Sequence, residues 1–175
     1  MPKKVVLKVQ KRIVRKIDTE DKAYAFALKK LSYKDYSEQA MLTLLAKEQC
    51  PSAVQQAVLA KLKEYSFLND EVYAARVYRA WLNKKYYGKK HLLLELKKKE
   101  VSEACTAEVL AEYDDELDYN RACNALTAWQ KQYNKQEDPL SDKLLAKAIR
   151  ALFSRGFNNN SIQKALRRLE QKIVD

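Results

Sequence analysis

Slid along itself by 51 places, the chain repeats its own pattern of side chains. Ala23 falls on Ala74, Leu31 on Leu82, Ser37 on Gly88, and Leu42 and Leu45 on Leu93 and Leu96. The overlay continues with Cys50 on Val101, Val54 on Cys105, Val58 on Val109 and Leu62 on Tyr113. A third unit begins near Leu117, with Ala122, Ala125 and Trp129 on its first helix. After extra residues around 134–139 it runs through Leu145, Ile149 and Leu152, Phe157 takes the place of Val101, and Ile162, Leu166 and Leu169 form the last helix. A period near 50 residues constrains the fold strongly, because each unit packs chiefly against itself and its sequence neighbours. The expected architecture is a basic arm (1–17) and three units (18–66, 67–116, 117–175) forming an elongated, curved body.

The units are helical. With 2 glycines and 3 prolines in 175 residues there are too few turn formers for a sheet sandwich. In the first unit Ala23, Ala27, Leu28 and Leu31 predict a helix ending before Ser32. Ser37 is placed to cap a second helix with Met41, Leu42 and Leu45 inward. Pro51 is suited to the first position of a third helix carrying Val54, Val58, Leu59 and Leu62. The fold class is therefore all-α, in tandem three-helix repeats.

The central unit is the most informative. Asn69 is a helix cap, and Asp70 and Glu71 follow where the positive end of a helix dipole favours carboxylates. Tyr73, Val77, Ala80 and Trp81 recur as an apolar stripe, while Arg76, Arg79 and Asn83 recur on another face. Gly88 breaks the chain between Lys84, Lys85 and Lys89, Lys90. A leucine-rich helix through Leu92, Leu93 and Leu96 then ends in Lys97, Lys98 and Lys99.

The net charge is +11, and seven of the bases lie in residues 1–16 with no acid among them, so the arm is strongly basic and the body mildly so. Such a surface attracts polyanions or acidic protein faces. The candidate contact residues are Arg76, Arg79, Lys84, Lys85, Lys89, Lys90, Lys97, Lys98 and Lys99 in the centre, with Arg150, Arg155, Arg167 and Arg168 in the third unit. Tyr86 and Tyr87, and Tyr33 and Tyr36 in the matching turn, offer rings for stacking, although packing at unit junctions is the plainer role.

Catalysis lacks its ingredients. His91, the one histidine, has no serine or cysteine partner in reach of a motif, and two glycines 68 positions apart make no phosphate loop. The acids Asp114, Asp115, Glu116 and Asp118 precede a helix and lack calcium-loop spacing. Cys50, Cys105 and Cys123 form neither a disulfide framework nor a zinc motif, and read as small apolar side chains. No run of apolar residues is long enough for a signal peptide or a membrane span, which predicts a cytoplasmic protein. No enzyme activity, cofactor or metal is expected.

The features at Leu68, Asp70, Tyr73-Ala74, Arg76 to Arg79, Gly88, Leu92, Leu96 and Lys99 together resemble the RecX family, bacterial proteins that restrain the RecA recombinase. Arg155-Gly156-Phe157 is similar to that family's C-terminal basic-glycine-aromatic turn, and the likeness runs over about residues 20–172. The chain departs from the pattern at Asn69, where an acid is usual, and at Glu100, where a glycine is usual. The resemblance implies three tandem three-helix repeats acting as a monomer. It also implies binding to RecA and to the RecA–single-stranded DNA filament, restraint of its ATPase, recombinase and SOS co-protease activities, and weak contact with bare single- or double-stranded DNA. A general DNA-binding regulator of the helix-turn-helix kind is the alternative. Against it, the bases are mostly lysines at turns, suited to phosphates rather than base edges.

Overall fold

The computed structural model describes residues 17–133 and 141–174, so the basic arm lies outside it apart from Ile17. That residue is buried in the first core. The described residues form nine α-helices and no strand. They are α1 (Glu20–Leu31), α2 (Glu38–Lys47), α3 (Ser52–Glu64), α4 (Asp70–Leu82), α5 (Lys89–Lys98), α6 (Glu103–Ala111), α7 (Asp115–Tyr133), α8 (Asp142–Ser154) and α9 (Asn159–Val174).

Short polar side chains start α2, α4, α6 and α9 by accepting from amides that have no intrahelical partner. Ser37 Oγ accepts from the Ala40 amide at 3.1 Å, Asn69 Oδ1 from Val72 at 2.9 Å, and Ser102 Oγ from Cys105 at 3.3 Å. Asn158 Oδ1 accepts from Ser161 at 2.7 Å. Pro51 is the residue before α3 rather than its first member.

The middle helix of every repeat stops in the same way. Gln49, Glu100 and Gly156 take φ values of 59°, 55° and 85°, in the left-handed region. The next residue then turns its amide back to a carbonyl five positions earlier: Cys50 to Leu45, Val101 to Leu96, and Phe157 to Leu152. Cys50, Val101 and Phe157 are buried, so this stop anchors the third helix of each repeat to its core. Glu100 thus keeps the turn geometry without the usual glycine.

Three separate apolar cores follow in chain order. The first gathers Ala23, Ala27, Met41, Leu45, Val58 and Leu62; the second Ala74, Tyr78, Trp81, Leu92, Leu96 and Tyr113; the third Ala122, Leu126, Trp129, Leu152, Phe157 and Ile162. The buried stripe of α4 is Ala74, Tyr78 and Trp81, with Tyr73 and Val77 at its margin and Ala80 exposed. It is rotated from the expected Tyr73–Val77–Ala80–Trp81 face because apolar side chains occupy both sides of this helix, and the broad Tyr78 and Trp81 rings bury more area than Ala80. Trp81 meets Tyr113 edge-on, with ring centroids 5.7 Å apart.

Candidate functional site

Where one repeat meets the next, the start of its middle helix docks on the stop of the following middle helix. At the first junction Ser37 Oγ donates toward the carbonyls of Lys99 (3.0 Å) and Glu100 (2.8 Å). The Glu38 amide donates to Asp70 Oδ1 at 2.8 Å, and Thr43 Oγ1 donates to Glu100 Oε2 at 2.7 Å. Asp70 therefore caps a helix of the repeat before its own. Burial pushes its carboxyl above the usual aspartate value, opposed by the Glu38 amide bond.

The second junction uses the same register with different groups. The Gly88 amide donates to the Arg155 carbonyl and the Lys90 amide to the Gly156 carbonyl, each at 3.0 Å. The Lys89 amide donates to Asp118 Oδ1 at 3.1 Å, as Glu38 does to Asp70. The contact is so close that a Cβ on Gly88 would stand 2.6 Å from the Gly156 oxygen and the Phe157 Cα. Asp118 is buried and also accepts the Tyr113 hydroxyl at 2.7 Å. Beside it Arg121, also buried, donates to the carbonyls of Tyr87 (2.9 Å), Leu82 (3.1 Å) and Lys84, with its guanidinium 4.2 Å from the Trp81 ring centroid. One side chain of α7 thus ties down the whole α4–α5 turn.

Local sequence marks Asp118 only as one acid of a run before a helix and does not mark Arg121 at all. A register of 48 residues finds them, since it sets Asp118 on Asp70, Ala122 on Ala74 and Trp129 on Trp81. Asp114, of the same acidic run, caps α7 by accepting from the Leu117 amide. His91 is a packing residue: its Nδ1 accepts the Trp81 indole N–H at 2.8 Å and its ring lies 4.1 Å from that of Tyr87. Burial lowers its pKa, which Glu95 opposes and Lys84 reinforces.

The candidate cations separate into groups. Arg79, Lys85, Lys90, Lys97, Lys98 and Lys99 are exposed. Arg76 is exposed and pairs with Asp35 across the first junction at 2.8 Å. Lys84 pairs with Glu95 at 3.4 Å, and Lys89 turns its ammonium onto the Tyr113 carbonyl at 3.1 Å. Lys89, through its amide, and Arg155, through its carbonyl, take part in the second junction, while the Arg155 side chain reaches the Ala125 carbonyl of its own repeat at 3.4 Å. In the third repeat Arg150 bonds back to Ala146 of its own helix, Arg167 is exposed, and Arg168 bonds Tyr119 and Cys123, which raises its pKa. Lys98 and Lys99 meet Lys34 and Lys47, neither of them anticipated, around a cleft of about 200 Å³ at the first junction. Tyr33 and Tyr86 are exposed, whereas Tyr36 lies under the Lys34 ammonium at 4.6 Å. Cys50 and Cys105 are buried and Cys123 half-buried, all three as free thiols.

Comparison with known proteins agrees with this architecture. Residues 122–166 match the family described as RecX, third three-helix domain. The chain is 29% identical over 147 residues to "Regulatory protein RecX" of Pelodictyon phaeoclathratiforme, spanning 84% of this chain and 88% of that one. It is 28% identical over 152 residues to the protein of the same name from Chlorobium phaeobacteroides, spanning 85% and 95%. The crystal structure of RecX from Lactobacillus salivarius superimposes with a TM-score of 0.76 at 22% identity, over 87% of this chain and 97% of that one.

Proposed function

Because this chain belongs to the RecX family, we propose that it is a non-enzymatic regulator that binds RecA and the RecA–single-stranded DNA filament and restrains ATP hydrolysis, strand exchange and SOS co-protease activity. The observation that carries this reading is likeness to proteins named as regulatory RecX over most of the chain. Physical support comes from three cores in series, which give a body able to touch several protomers of a filament at once. Contacts too weak alone then act together. Exposed cations on α4, the α4–α5 turn and α5 supply the charge for such contacts. The protein acts as a monomer in the cytoplasm, with units at 18–66, 67–116 and 117–175. No helix among the described residues is long and apolar enough to cross a membrane.

The test is RecA's DNA-dependent ATPase with this protein added below equimolar ratio. Inhibition is expected, and its absence at every ratio overturns the reading. Charge reversal should be made at Lys85, Lys90 and Lys97, leaving Lys89, whose ammonium donates to the Tyr113 carbonyl inside the second repeat. The triple variant should lose inhibition while keeping its helical circular dichroism.

A further inference from the structure

We infer that the basic arm, residues 3–16, docks back onto its own chain, along the acidic cavity where the starts of α4 and α6 meet. This cavity, of about 370 Å³, is lined by Glu38, Lys63, Leu68, Asp70, Glu71 and Ser102. The cation among them is already engaged, since Lys63 pairs with Glu38 at 2.9 Å. Glu71, and Glu103 one residue past Ser102, are exposed and form no ion pair among the described residues. Burial holds the Asp70 carboxyl above its usual value even though the Glu38 amide and Lys63 act against the shift, so its ionised form gains from a further cation.

The negative charge extends past the cavity. Residues 100–120 hold eight acids and no base, and Glu103 and Glu108 both lie exposed on α6. The matching helices of the other repeats differ: α3 carries Lys61 and Lys63, and α9 carries Lys164, Arg167 and Arg168. The acidic strip is therefore particular to the second repeat, and it repels a phosphate chain while attracting a basic peptide. The arm is such a peptide, with seven bases and no acid. In an extended chain Val5, Leu7 and Val9 fall on one side and Lys4 and Lys8 on the other. Phe67 and Val72, next in sequence to the cavity residues Leu68 and Glu71, are 51% and 46% exposed and offer apolar surface for the valine side. The arm also starts close by. Glu20, in the first turn of α1, pairs at 3.6 Å with Lys61, two residues before the cavity's Lys63. Fourteen extended residues span roughly 45 Å, against about 10 Å for the width of a helix.

The experiment is limited trypsin digestion of the full chain without nucleic acid, with cleavage after Lys8, Lys11 and Arg12 followed by mass spectrometry. Glu71→Gln/Glu103→Gln/Glu108→Gln should speed cleavage at these sites at least about threefold, because proteolysis follows the undocked fraction. Asp142→Asn/Glu170→Gln, which removes exposed acids from the third repeat, should leave the rate within about twofold. Asp70 is left in place because it caps α2. In a second measurement, p-benzoylphenylalanine placed at Leu7 should crosslink within one molecule to peptides from 64–75 or 100–112, with a yield unchanged on dilution. Equal cleavage rates in the parent and the triple variant overturn the proposal, as do crosslinks confined to other segments. A crosslink yield that falls on dilution also overturns it, by assigning the cavity to the arm of a second copy.

Discussion

Gln49, Glu100 and Gly156 share a left-handed conformation that a side chain makes costly, by roughly 1–2 kcal/mol for an ordinary residue. Gln49 is exposed, so Gln49→Gly should raise the urea midpoint by an amount worth about 0.5–1 kcal/mol after the added freedom of the unfolded chain is counted. Glu100→Gly should gain less, because it also removes the acceptor of Thr43. Gly88→Ala is the opposite case: the added methyl meets backbone at 2.6 Å, and destabilisation of about 1–3 kcal/mol is expected in the same assay. His91 sets a pH dependence. Its Nδ1 must be unprotonated to accept from Trp81, and its folded pKa lies below the ordinary 6.5. The unfolded chain therefore takes up a proton first as pH falls. The stability that depends on neutral His91 is intact above 6.5 and is lost as pH falls from there through the lowered folded value. His91→Gln, which keeps an acceptor, should flatten the melting temperature over that window.

At the scale of helices, the second junction depends on what α7 offers to the α4–α5 turn. Arg121→Ala strands three carbonyls and uncovers Trp81, and a buried acceptor left without a donor costs about 1–3 kcal/mol. Arg121→Lys should not rescue it, since an ammonium lacks the planar fork that spans three acceptors. Calorimetry should show one cooperative transition in the parent split into two in Arg121→Ala, as the third repeat melts apart from the second. This dependence was invisible in local sequence. The helix starts at Ser37 and Asn69 and the core positions Met41 and Leu45 of α2 were legible, because capping and 3.6-residue spacing are local, whereas α8 buries Leu144 and Ala148 in place of Leu145 and Ile149. The buried face of α4 was not, because apolar side chains lie on more than one side of that helix and only its neighbours decide between Ala80 and Tyr78. Asp118 read as one more dipole-favouring acid, and nothing in its local sequence distinguished Arg121. Their roles lie in partners 29 to 39 residues away, and among the exposed lysines nothing local marked Lys34 and Lys47 as facing Lys98 and Lys99.

Across the whole molecule the two junctions differ in strength. The first rests on a serine hydroxyl, a carboxylate and the Thr43–Glu100 bond, with a cleft alongside; the second joins backbone to backbone under a buried guanidinium. Hydrogen exchange should therefore find the Glu38 amide opening well before those of Gly88 and Lys90, because side-chain caps release without disturbing a core. Comparable protection at all three amides would contradict a softer first junction. The match of Gly88 to Gly156 also fixes sequence order along the row. A serine-bearing edge like that of the first repeat could not seat against Gly156, and Gly88 set against Glu100 would leave its carbonyl without a hydroxyl. Exchanging or duplicating modules in this chain would thus yield mismatched neighbours, so that three units similar enough to overlay are nevertheless assembled in only one permutation.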